Sequence, residues 1–190
     1  MKVNSKVLVA LFLAAIMISS VLGFILSSSH TGGPQPSRVK FGDFFFVETS
    51  QGWVTHINGD QQVIISSDPR NLNLAAIPDI SLNELNSAGR VYFTLNPNDN
   101  IQNSFAYFNA NIIPRLRTVT SACSEDVHQC ENLPLITCDN ALPSVKVIQT
   151  QISNSSSVTY NNDCLLIQGN SFQIRTLYDA VILKLLTISS

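Results

Sequence analysis

An uncharged apolar run from Val7 to Leu26, broken only by Ser19, Ser20 and Gly23 and preceded by Lys2 and Lys6, constrains this chain more than any other feature. About 20 such residues at 1.5 Å rise match a hydrocarbon core of roughly 30 Å. A stretch of this kind with a basic flank is an export signal or a membrane anchor. The apolar region of a cleaved signal is shorter, about 7–15 residues, which favours an uncleaved transmembrane anchor. The competing reading is cleavage near Gly23, after Val21-Leu22, giving a secreted product. A pilin-like leader is set aside, because no Glu stands near Ser5 or Val9. Lys2 and Lys6 keep the N-terminus cytoplasmic, so the remainder is expected outside the cytoplasm at the cell membrane. The expected organisation is a signal-anchor helix over 1–27, a Ser/Gly/Pro linker over 28–40 and one extracytoplasmic globular domain over 41–190.

The chain has 190 residues, so a domain of this extent suits a single core. Charged residues are only 13% of the chain, about half the usual share. Polarity must therefore come from Asn, Gln, Ser and Thr, abundant from Asn71 onward. The net charge is −2 and no basic run follows the leader, so nucleic acid is not an expected partner.

The four cysteines, Cys123, Cys130, Cys138 and Cys164, all lie in the second half of the chain. An even number in an exported domain reads as two disulfides. Cys123 and Cys130 flank a short polar loop; Cys138 ends one strand-like run and Cys164 begins another. Cys123–Cys130 with Cys138–Cys164 is the preferred pairing. The rival is zinc on Cys123, His128, Cys130 and Cys138, but the close cysteine knuckle usual in zinc sites is missing. No metal or other cofactor is expected.

Alternation and turn signals predict a meander: Phe44–Thr49, Trp53–Ile57 and Gln62–Ile65, with Asn58-Gly59 as a two-residue hairpin signal. Ser81 and Glu84 have capping-box spacing, predicting a short helix over Leu82–Ser87. Arg90–Leu95 reads as a strand. Ile101, Phe105, Phe108 and Ile112 share one helical face, and Pro114 ends that helix. Leu116–Ala122, Leu133–Cys138, Val145–Ile152, Val158–Tyr160 and Cys164–Ile167 are further predicted strands. Asn170 or Ser171 caps a last helix reaching Thr187, with Ile174, Leu177, Val181, Leu185 and Ile188 as its apolar stripe. Arg175, Asp179 and Lys184 argue against a second membrane span. The fold class is mixed α+β (α/β): an N-terminal transmembrane helix, then a β-meander, a mixed sheet and two sheet-packing helices.

No catalytic signature stands out. Glu125, Asp126 and Glu131 lie near His128 and suggest a His–carboxylate pair, but a solvated loop between cysteines explains them as well. His56 sits on a strand, and His30 falls in the linker. Gly169 before the last helix hints at a nucleotide site, but a turn accounts for it. Asn154-Ser155-Ser156 is a glycosylation sequon in a predicted turn, making Asn154 a possible acceptor. No catalytic, cofactor-binding or metal-ligating residue is assigned.

The leader, the Trp53 hairpin, the stretch ENLPLITCDNA at Glu131 to Ala141 and the NDCLLIQG ending with its helix resemble small exported, membrane-anchored proteins of archaea. The resemblance covers most of the folded part, implies no particular activity and supplies no site residues. The expected function is a membrane-tethered extracytoplasmic domain for non-catalytic binding or envelope assembly, its partners being the membrane and an unknown envelope component. An exported enzyme with an active site not recognisable locally is the alternative.

Overall fold

The structure is a computed structural model, and it describes residues 36–188. The expected anchor helix over 1–27 lies outside the described residues. Among those described, no helix is long and apolar enough to cross a membrane. Residues from Ser37 onward form one compact unit.

The unit opens with an antiparallel meander of β1 (Arg38–Phe41), β2 (Phe44–Thr49), β3 (Gly52–Ile57) and β4 (Gln61–Ile65), in that spatial order. β1 takes Arg38 to Lys40 out of the segment read as linker. Its alternating Val39 and Phe41 are buried, and it pairs with β2 from Arg38↔Val47 to Phe41↔Phe44. Gly52 enters β3 at φ +123°, where a Cβ would collide with the Ile65 carbonyl. Asn58 and Gly59 both have positive φ, as the hairpin signal requires. The loop nevertheless spans Asn58, Gly59 and Asp60, because Ile57 pairs with Gln61.

After a short helix α1 (Leu82–Asn86), the chain builds a mixed sheet from β5 (Arg90–Leu95), β6 (Val119–Cys123), β7 (Val145–Ile152), β8 (Ser157–Asn161) and β9 (Cys164–Gly169). The spatial order is β6-β5-β7-β9-β8, with only β8 antiparallel to its neighbour. Helix α2 (Gln102–Ile112) connects β5 to β6, and α3 (Gln173–Leu185) follows β9. Ser81 caps α1 by accepting from the Glu84 N–H at 3.2 Å. Asn170 accepts from the Phe172 and Gln173 N–H groups at the start of α3. Leu133–Cys138 is not a strand: it makes one bridge, Cys123↔Leu135, and Cys138 opens a 3-10 turn.

One apolar core joins both sheets and both long helices. Phe108 of α2 stacks on Tyr178 of α3 with ring centres 4.6 Å apart, and Phe93 of β5 packs on Phe108. Helix α3 is buried nearly all round, its apolar side chains lying in the core shared by both sheets. Tyr178 donates to the Thr150 hydroxyl on β7 at 2.8 Å. Asp179, one residue on, accepts from Ser66 N–H, Ser66 O–H and Ser67 N–H just past β4.

The exposed edge of a sheet carries unpaired backbone groups. The meander's edges are β1 and β4, and α2 with the turn after it seals β4 with side chains. Asn111 accepts from Ile64 N–H, and Arg115 donates to Gln62 C=O. Sequence periodicity gives no sign of this lateral sealing.

Candidate ligand crevice at the strand ends

Strands β5, β6 and β7 run parallel, so their C-terminal ends lie at one end of the sheet. The chain leaves β5 for β6 on one side and returns to β7 on the other. That reversal is a topological switch point, where open α/β sheets form their ligand crevices. A cavity of about 230 Å³ lies there. Asn96 and Asp99 reach it from the turn after β5, Ser124 and Glu125 from the end of β6, and Gln149, Gln151 and Ile152 from β7.

Local chemistry places these groups. Asn96 caps the turn after β5, its side-chain oxygen accepting from Asn98 N–H at 2.9 Å. Ser124 N–H bonds the Leu95 carbonyl at 3.1 Å, tying the end of β6 to that of β5. Gln149 lies on the sheet face away from the helices. Segment 124–144 crosses that face: Thr94 donates to Ile136 C=O, and Cys138 N–H donates to Gln149 Oε1, both at 2.8 Å. Gln151 Oε1 accepts from Gln168 Nε2 at 3.0 Å. No Lys, Arg or His is among the residues lining the crevice.

Two disulfides hold the crossing segment. Cys123 joins Cys130 with Cα atoms 6.0 Å apart, and Cys138 joins Cys164 at 5.3 Å. Val147 and Cys164 are register partners, so the second bridge fastens the segment to the start of β9, beside the central strand β7. The bridges point to an oxidising, extracytoplasmic environment. With all four cysteines oxidised, the zinc set of thiolates and His128 is not formed. Among the described residues no group of three or more His, Cys, Asp or Glu is placed to hold a metal ion.

The residues singled out from sequence scatter. His128 Nδ1 meets Glu131 Oε1 at 2.6 Å, but the side chains are 89% and 66% exposed, a solvated pair outside the crevice. Asp126 is exposed, and Glu125 alone of that cluster lines the cavity. His56 is exposed on β3 opposite Gln62. Gly169 is a packing glycine: a Cβ there would lie 3.2 Å from Leu177 Cδ1. Asn154 is exposed between β7 and β8. Sequence reasoning missed Asn96, Asp99, Ser124, Gln149 and Gln151 as a set. The available signal was two glutamines, Gln149 and Gln151, continuing the strand face that Val145 and Val147 begin.

Two further polar clusters are structural. Tyr107 donates to Asp179 at 2.5 Å, and Arg175 lies over its ring at 4.1 Å. Burial, then the Asp179 charge, pushes the Tyr107 phenol far above its ordinary range. Lys146, 6% exposed, pairs with Asp163 beneath Tyr160. Burial alone would lower its pKa, but the bond to Asp163 and the nearby Tyr160 outweigh this and leave it raised. A larger cavity of about 500 Å³, lined by Leu72, Ile77, Val158, Leu177 and small polar residues, holds no titratable group. Comparison with protein-family models, curated proteins and solved structures returned no match.

Proposed function

We propose that this protein is a membrane-tethered extracytoplasmic domain that binds a component of the cell envelope without chemical turnover. The observation that carries this reading is the crevice at the ends of β5, β6 and β7, where amides, carboxylates and one hydroxyl converge. These are groups for holding a ligand. Ser124, the hydroxyl among them, has no basic partner in the lining. The leader supports tethering, and the disulfides support the compartment. Leu133, Leu135 and Leu142, 42%, 54% and 57% exposed on the stapled segment, support assembly with an envelope protein. Exposed Asn154 fits a glycan acceptor in the same compartment.

The alternative is an exported hydrolase, favoured by one observation: Asp99 and Glu125 share a crevice, as the carboxyl pairs of glycoside hydrolysis do.

Tethering is tested by fractionating cells that make the full chain and sequencing its N-terminus. Retention in the membrane with an intact leader is expected; a soluble product beginning near Phe24 would overturn it. Binding is tested by recovering the full chain from the envelope with whatever it holds. An Asp99→Asn/Glu125→Gln variant that recovers the same material at the same yield would remove the crevice from the proposal.

A further inference from the structure

We infer that the strand-end crevice binds a neutral, hydroxyl-rich ligand the size of one sugar ring. This rests on the binding reading above and names its ligand class. The volume of about 230 Å³ equals that of seven or eight waters at roughly 30 Å³ each. A pyranose ring with its hydroxyls is of this size.

The hydrogen bonds already made decide which ligand chemistry fits. Asn96, Gln149 and Gln151 each have the amide oxygen taken by an N–H donor: Asn98 N–H, Cys138 N–H and Gln168 Nε2 respectively. Two of the three donors are backbone N–H groups, which fix the orientation of those amides. Each of these oxygens keeps one lone pair, so what the three residues chiefly offer a ligand is their NH₂ donors. Asp99 and Glu125, when ionised, offer acceptors only, and Ser124 offers both.

A bare divalent cation needs oxygen ligands and is turned away by three NH₂ groups. An anion is turned away by two carboxylates with no Lys, Arg or His among the lining residues. An apolar ligand finds Ile152 alone. A hydroxyl donates and accepts at once, so neighbouring hydroxyls can donate to a carboxylate while accepting from an amide. The mixed lining matches that pattern.

The test is calorimetric titration of the full chain, solubilised in lauryldimethylamine oxide because its head group is not a sugar. The probes are glucose, galactose, mannose, N-acetylglucosamine, lactose, cellobiose and chitobiose, with calcium chloride and putrescine as charged probes. Saturable binding of at least one sugar is expected. Asp99→Asn/Glu125→Gln should weaken it about ten- to a hundredfold, the loss of charge-assisted hydrogen bonds, at an unchanged melting temperature. Gln151→Glu is the second variant. It keeps the oxygen that accepts from Gln168 and replaces the NH₂ donor, so sugar affinity should fall too. Sugar binding that neither variant weakens overturns the inference. Binding of calcium or putrescine alone, strengthened by Gln151→Glu, overturns the ligand class and leaves the binding reading standing. Binding of no probe overturns the inference. Binding followed by cleavage of a disaccharide, seen in anomeric proton spectra, supports the ligand class and overturns only the non-catalytic reading.

Discussion

Single buried polar groups join the parts of this protein. Asp179 is fully buried on α3 and accepts from Ser66, Ser67 and Tyr107. Asp179→Asn would set an NH₂ group against one of those donors. A loss of about 3 kcal/mol in denaturant unfolding is expected, since buried bonds to a charged group are worth about 1.5–3 kcal/mol each. Tyr107, Tyr178 and Lys146 all have folded pKa values above their ordinary ones. For Tyr178 the cause is burial. A raised folded value makes the protonated group stabilising below the ordinary pKa, and that contribution is lost as pH rises. The melting temperature should therefore hold to about pH 10 and fall above it. Tyr178→Phe removes one of the three titrations. It should melt lower at neutral pH, by the lost bond to Thr150, yet decline less steeply in alkali.

At the scale of elements, helix α3 tests how far an apolar stripe can be read as a core. The stripe read from sequence included Leu177 and Leu185 as equals. In the structure Leu185 is 1% exposed, while Leu177 is half-buried and lines the larger cavity. Leu185→Ala should cost about 3 kcal/mol through the cavity it leaves, and Leu177→Ala about 1 kcal/mol. Thermal or denaturant melts of the two variants check the ranking. Equal losses would mean that Leu177 packs as deeply as Leu185. Strands such as β2, β5 and β7 were legible because alternation and turn residues are local. Leu133–Cys138 misleads for a local reason as well. Pro134 has no N–H to pair, and Asp139-Asn140 turn the chain after Cys138.

At the scale of the molecule, the disulfides fasten a crossing that no helix supports. Cys138–Cys164 spans 26 residues and Cys123–Cys130 spans 7. The chain-entropy relation gives about 3.5 and 2.4 kcal/mol respectively for loops of these lengths. Paired Cys→Ala replacement should reproduce that order in unfolding free energy, with Cys138→Ala/Cys164→Ala the costlier. The longer bridge also holds the segment whose Cys138 N–H orients Gln149. That variant is accordingly expected to loosen the crevice, seen as lost ligand affinity at temperatures where the domain stays folded.

The sequence by itself determined the mixed α+β class, the strands that alternate, the meander with its Asn-Gly turn, and the helix over Gln102–Ile112. It also contained the signals for an apolar leader, a favoured cysteine pairing and an exposed Asn154. Each depends on spacing within a few residues, or on loop lengths that limit which cysteines can meet. The order β6-β5-β7-β9-β8, the β1 edge and the meeting of Asn96, Asp99, Glu125 and Gln149 were decided only in three dimensions. The crevice joins residues up to 56 positions apart, from Asn96 to Ile152. No local periodicity records which strand ends become neighbours. Parallel pairing does record it, because it brings every C-terminal end to one side of the sheet and opens a crevice where the winding reverses.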